Sequence, residues 1–164
     1  MESEVDIRNF RSTDKKWRIG LINGSNMSNL INRNPAVFGP PQTIQELEQW
    51  FVGVGRALGV EIHPMHSDHD GRIIEWVNAN AYGGPLEAFV INPAGLTTYA
   101  EHVRHCLEET GLPYAEVHYA NLARSGHHSV FARSALGMSC GFRKHSYTGA
   151  LVALVGVLDE SLGR

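Results

Sequence analysis

Short apolar runs alternate along the chain with longer stretches whose apolar residues recur every three to four positions. The first run, 17–22, carries Trp17, Ile19, Leu21 and Ile22 and ends at Asn23-Gly24. After a polar loop, Ile44, Leu47, Phe51, Val54 and Leu58 set a helical period over 42–59, which Gly59 stops. A second strand is predicted over 60–65, and a helix over 71–82 with Ile73, Ile74 and Val77 on one side. A short buried strand follows at 86–91, ending at Asn92-Pro93, and then a helix over 98–109 closed by Gly111. Strand four is predicted over 114–118, strand five over 137–142, and a last helix over 146–162.

Strands separated by helices of this length form βαβ units with right-handed crossovers and a parallel sheet. Five such strands fit a flavodoxin-like three-layer α/β sandwich with strand order 2-1-3-4-5. Neither repeat nor linker interrupts 17–164, which reads as a single domain. The preceding segment, 1–16, is polar and mixed in charge, and reads as a frayed arm or an ordered oligomer contact.

Composition narrows the function classes. The 164 residues are 43% hydrophobic and 19% charged, a globular balance. A net charge of −3 gives no basic stripe for nucleic acid. No apolar run approaches the roughly 18 residues of a bilayer span, and the start of the chain lacks the pattern of a secretory leader. Cys106 and Cys140 are too few for a disulfide framework, which points to a reduced, cytoplasmic protein.

In doubly wound sheets, ligands sit beyond the carboxyl ends of the strands, where the strand order reverses. Three loops are nominated on that ground. The first holds Asn23, Asn26, Arg33 and Phe38; the second Asn92, Thr97, Thr98 and Tyr99; the third His118, Tyr119, Asn121, Arg124, His127 and His128. Amides, hydroxyls, Arg and His in this density suit a small, oxygen-rich ligand. Glu116 and His118 stand two apart on a strand and share a face. A carboxylate so placed fixes the tautomer of the imidazole and makes it a usable proton donor; the plainer reading is a structural pair at a strand end. Arg33 lies on a long loop, 27–41, of the kind that acts as a lid, though alone it reads as a surface arginine.

Other motifs carry less. His63 and His66 are three apart on a strand and diverge, so with His69 they make a poor metal set. Gly53-Val54-Gly55 lies inside a helix and is no dinucleotide fingerprint. Ser25, Ser125 and Ser129 lack a nucleophile-elbow setting, which argues against a covalent mechanism.

Four segments, in order, resemble the type II 3-dehydroquinate dehydratase family. They are Ile22-Asn23-Gly24-Ser25-Asn26 with Arg33-Asn34-Pro35-Ala36-Val37-Phe38-Gly39; Ser67-Asp68-His69-Asp70-Gly71; Ile91-Asn92-Pro93-Ala94-Gly95-Leu96-Thr97; and Glu116-Val117-His118-Tyr119-Ala120-Asn121. The likeness runs from about Ile19 to Leu158. It implies elimination of water from a cyclic keto acid through an enolate, with no cofactor or metal. A lid tyrosine beside an arginine would take the proton next to the ketone. The histidine after strand four would protonate the leaving hydroxyl, steadied by the glutamate two residues before it, and the first-loop asparagine would hold the enolate through water. Carried over by position, Asn26, Arg33, Asn92, Glu116 and His118 are present.

Several positions depart from the family pattern. The lid tyrosine is Phe38, which has no ionisable oxygen. An expected histidine is Thr98, an expected carboxylate-binding serine is Ala120, and the segment between Asn121 and His127 is short, leaving Arg124 as the counterpart of two arginines. The resemblance thus implies a dehydratase-type lyase acting on a small hydroxylated cyclic carbonyl compound, inefficient on 3-dehydroquinate. His118 would be the acid, and Tyr99, Tyr119 or a water the base. The alternatives are a non-catalytic metabolite-binding module or oligomeric scaffold, and a true 3-dehydroquinate dehydratase with a relocated base. The family also implies a homo-oligomer of trimers grouped into a dodecamer, although the acidic residue sent into the neighbouring pocket is His105 here.

Overall fold

The computed structural model describes residues 6–162. Strands β1 (Arg18–Asn23), β2 (Glu61–His66), β3 (Ala88–Asn92), β4 (Tyr114–His118) and β5 (Gly137–Cys140) form one parallel sheet in the order β2-β1-β3-β4-β5. The order predicted from the alternation of elements is the order observed. Every residue of β3 and β4 is buried, because a parallel sheet covered on both faces has no polar side to show.

Helices cover the two faces. On one lie α2 (Ile44–Leu58) and α6 (His145–Ser161), packing Leu47, Phe51, Leu151 and Leu154 against Ile19, Leu21 and Val117. On the other, α3 (Asp70–Ala81) and α4 (Glu101–Glu109) pack Ile73, Val77, Val103 and Leu107 against Ile22, Phe89 and Ile91. The start of α2 is fixed by a capping box. The Glu46 N–H donates to Thr43 Oγ1 at 3.1 Å, and the Thr43 N–H donates back to Glu46 Oε2 at 2.7 Å. Gly59 closes it in the left-handed region.

The structure differs from the sequence expectation at four places. Helix α4 begins at Glu101 rather than 98, because Ala94–Leu96 first make a 3-10 turn and the Thr97 carbonyl is taken by the Val130 N–H at 2.9 Å. Strand β5 stops at Cys140, where Gly141 turns with φ +92. The 27–41 loop is not structureless: it contains 3-10 turns over Met27–Asn32 and a short helix, α1 (Pro35–Phe38). Asn34 caps α1 through the Ala36 N–H, and Pro35 starts it.

The fourth difference is the N-terminal segment. Residues 1–5 lie outside the description, but 11–16 are fastened to the domain rather than frayed. Arg11 makes a two-pronged bond to Asp159 of α6 at 2.6 and 2.9 Å and donates to the Leu58 carbonyl at 3.0 Å. Trp17 Nε1 and Thr13 Oγ1 complete the shell around the same carboxylate, at 2.7 and 3.0 Å. Burial pushes Asp159 up, but these donors outweigh it and hold its pKa at about 2.

Candidate active site

The sheet reverses its winding between β1 and β3, where Asn23 and Asn92 sit side by side in register at the strand ends. Beyond them the two loops are laced through the backbone. The Gly24 N–H donates to the Asn92 carbonyl at 2.8 Å, and the Gly95 N–H to the Ser25 carbonyl at 2.9 Å. A side chain at position 24 would put its Cβ 2.3 Å from the Pro93 oxygen, so only glycine permits this approach. Asn26 then adopts the left-handed region at φ 71, which asparagine tolerates. Asp68, from the loop after β2, accepts the Asn26 N–H at 2.6 Å and the Ser28 hydroxyl at 2.7 Å, and these bonds lower its pKa, the hydroxyl most.

Above these strand ends opens a cavity of about 540 Å³, the size of a small-metabolite site. His118 and Asn92 line it from the strands, Phe38, Tyr119 and Ala120 form apolar walls, and Asn26, Arg33, Thr98 and His127 border it. Of the residues singled out from sequence, Asn23, Tyr99, Glu116, Asn121, Arg124 and His128 do not line it, and Glu116 reaches it only through His118. Tyr99 is 60% exposed just before α4, and Arg124 is exposed on the short helix α5 (Leu122–Ser125).

The Glu116–His118 pair lies at the end of β4. His118 Nε2 is 2.6 Å from Glu116 Oε1, and the glutamate is fully buried. The other carboxylate oxygen, Oε2, is buried with no partner among the described residues. The short contact places the Nε2 proton towards the carboxylate and leaves Nδ1 as the imidazole's other hydrogen-bonding atom. A buried ionisable pair with one oxygen unsatisfied is a poor device for stability.

Arg33 lies over the Phe38 ring, with its guanidinium carbon 5.1 Å from the ring centre, and Nη2 donates to the Asn26 carbonyl at 3.2 Å. Its Nε is buried and unpartnered, and the side chain borders the cavity, where its charge suits an anionic group. Phe38 is also 5.4 Å from the Tyr119 ring. Tyr119 receives a hydrogen bond from Gln42 Nε2 at 2.7 Å, and burial holds its phenol far above the usual tyrosine range. It is a wall of the cavity and, with that pKa, no proton acceptor at neutral pH.

Asn92 is more committed than its motif suggests. Its Nδ2 donates to Tyr147 Oη at 2.7 Å and faces Met27 Sδ at 3.6 Å, while Oδ1 accepts the Ala94 N–H at 3.1 Å. Tyr147 in turn donates to Asn23 Oδ1 at 2.8 Å. Asn23 Nδ2 lies 3.4 Å from Glu48 Oε1, which His66 Nδ1 approaches at 2.9 Å. The buried tyrosine, with its phenol pushed well up by burial, ties the two strand-end amides together. Sequence reading missed Tyr147 and Glu48, and noted the Asp68 segment without giving the residue a role, because each is remote in the chain from what it holds. Among the described residues no three His, Cys, Asp or Glu side chains gather to hold a metal, and no helix is long and apolar enough to cross a membrane.

A parallel five-stranded sheet with an acid pair and an arginine at its switch point defines a class of small α/β proteins with a metabolite-sized cavity. The dehydroquinase class II family model matches residues 17–155, and the chain belongs to this family of dehydratases. It is 37% identical over 142 residues to a 3-dehydroquinate dehydratase of Thermus thermophilus, covering 85% of this chain and 94% of the relative. A 3-dehydroquinate dehydratase of Halothermothrix orenii is 31% identical over 146 residues, covering 87% and 97%. The crystal structure of the type II dehydroquinase from Propionibacterium acnes superposes with a TM-score of 0.77 at 26% identity, over 87% of this chain and 99% of that one.

Proposed function

We propose that the protein is a carbon–oxygen lyase that eliminates water from a small hydroxylated cyclic carbonyl compound, and that 3-dehydroquinate itself is a poor substrate. The observation that carries this reading is the buried Glu116–His118 pair at 2.6 Å beside a metabolite-sized cavity. His118 protonates the departing hydroxyl, Glu116 holds the imidazole in place, and the Arg33 charge with the Asn26 amide faces the oxygen on which charge develops. Asn92 supports the loop that presents these groups, since its amide is already bonded on both sides.

The second half of the proposal rests on what lines the walls. Phe38 stands over Arg33 with no hydroxyl to ionise, and Ala120 offers a carboxylate no donor. Loss of a general base costs about 10²–10⁴-fold in rate. A compound without a carboxylate at the Ala120 wall is the better substrate. The same reading takes the protein as a homo-oligomer, built as the family resemblance implies.

The test is purified protein with 3-dehydroquinate, following the growth of conjugated-enone absorbance. Slow turnover abolished by His118→Ala and raised by Phe38→Tyr is the expected result. Wild-type turnover that Phe38→Tyr fails to improve overturns the poor-substrate part. No elimination from 3-dehydroquinate or from its decarboxylated ring analogues overturns the lyase reading.

A further inference from the structure

Removing water next to a carbonyl requires a proton acceptor as well as a donor, and Phe38 leaves that role without an owner. The cavity itself narrows the choice. The titratable side chains that line it are Arg33, His118, Tyr119 and His127. Arginine stays protonated and accepts nothing. His118 is bound to Glu116 and serves as the acid. Tyr119 is bonded to Gln42, and burial keeps its proton in place. The hydroxyls offer no better acceptor: Thr97 donates to the Ala94 carbonyl at 2.6 Å and Ser125 to the Leu122 carbonyl at 2.7 Å, and the Thr98 hydroxyl is a neutral alcohol with no general base bonded to it among the described residues.

We infer that His127 is the general base of this site, an inference that rests on the lyase reading above. Its imidazole carries no hydrogen bond to another described residue and is exposed to the cavity mouth. It is brought there by local backbone geometry. Asn121 caps the single turn of α5, Gly126 closes it at φ +73, and the next residue, His127, borders the cavity. Imidazole is the side chain most often used to take up a proton in general-base catalysis.

The proton balance closes on two imidazoles. Neutral His127 takes the proton from the carbon next to the carbonyl, and the electron pair of that C–H bond forms the enolate. The enolate collapses to the conjugated double bond as the C–O bond to the leaving hydroxyl breaks. That hydroxyl receives the proton of His118 and departs as water. His127 then loses its proton to solvent and His118 regains one, so each turnover begins from the same state.

The base step is read separately from elimination by supplying 3-dehydroquinate in deuterated water. Deuterium entering next to the ketone, measured by mass spectrometry above the protein-free background, reports proton removal; enone absorbance reports loss of water. Wild type is expected to exchange, His118→Ala to exchange without eliminating, and His127→Asn to lose exchange by about 100-fold or more. Added imidazole should restore exchange to His127→Gly, which a residue acting only in folding or binding would not allow. Exchange that persists in His127→Asn, or is absent from wild type, overturns the assignment. Elimination that survives in His118→Ala while His127→Asn abolishes exchange overturns the acid instead and leaves the base standing.

Discussion

Tyr147 shows how one phenol organises the polar end of the sheet. Its oxygen accepts from Asn92 and donates to Asn23, joining two amides that end neighbouring strands. Tyr147→Phe removes no apolar contact but leaves a buried amide N–H and an amide oxygen short of a partner. The expected cost is about 1–3 kcal/mol, read from the urea midpoint. Activity should fall further than stability alone explains, because the Asn92 loop borders the cavity; an unchanged KM and kcat would argue against that coupling. Asp68 acts at the same scale on the opposite loop. Asp68→Ala frees the Asn26 N–H and the Ser28 hydroxyl, so Asn26 should leave its left-handed conformation. A loss of turnover without a change in the unfolding midpoint is the expected signature.

Elements meet the site through backbone fit. The crossing of the β1 and β3 loops depends on the absence of a side chain at position 24, where a Cβ would lie 2.3 Å from a carbonyl oxygen. Neither backbone can move away without breaking the pair of bonds that lace the loops, so Gly24→Ala is expected to destabilise by about 1–3 kcal/mol or more. Gly53 supplies the contrast. It is exposed in the middle of α2 with nothing within 4 Å of an added Cβ. Gly53→Ala should therefore raise stability by up to about 1 kcal/mol. Thermal melts of the two variants should move in opposite directions; a shared direction would mean that helix propensity or loop fit has been misjudged.

The whole molecule is tied together by Asp159, which fixes the N-terminal segment, the end of α2 and the last helix at one carboxylate. Its folded pKa, about 2, lies below its ordinary value of 3.8. The stabilisation is thus fully present above about pH 4 and is lost as pH falls towards 2, amounting to about 2 kcal/mol. Asp159→Asn should flatten this part of the acid unfolding curve. Arg11→Ala leaves the carboxylate buried without its cation and should cost about 3–5 kcal/mol at neutral pH. Along the same helix α6, Leu136, Met138 and Val157 line an exposed apolar groove of about 340 Å³ beside the edge strand β5. Such an edge in a free monomer invites association, in keeping with the proposed homo-oligomer. Light scattering should give a mass well above that of one chain, and a monomer would count against assembly.

What the sequence by itself determined is whatever repeats or sits close along the chain. Helical and strand periods set the five strands, the helices between them and, through the handedness of βαβ crossovers, the strand order. The spacing of Glu116 and His118 put an acid pair on one face of β4, and the switch-point rule placed the cavity near Asn26, Arg33 and His118. The short helix α1 was not legible, because a run of Asn, Pro and Gly reads as loop. Tertiary structure alone decided which side chains face the cavity. Tyr99 and Arg124 lie off the cavity while His127 stands at its mouth, a placement set by loop geometry that no periodicity encodes. It alone also paired Arg11 with Asp159 and Tyr147 with Asn23, residues 148 and 124 positions apart. Such bonds leave no local pattern: each residue has an ordinary neighbourhood in the chain, and its partner is chosen by the packing of helices against the sheet.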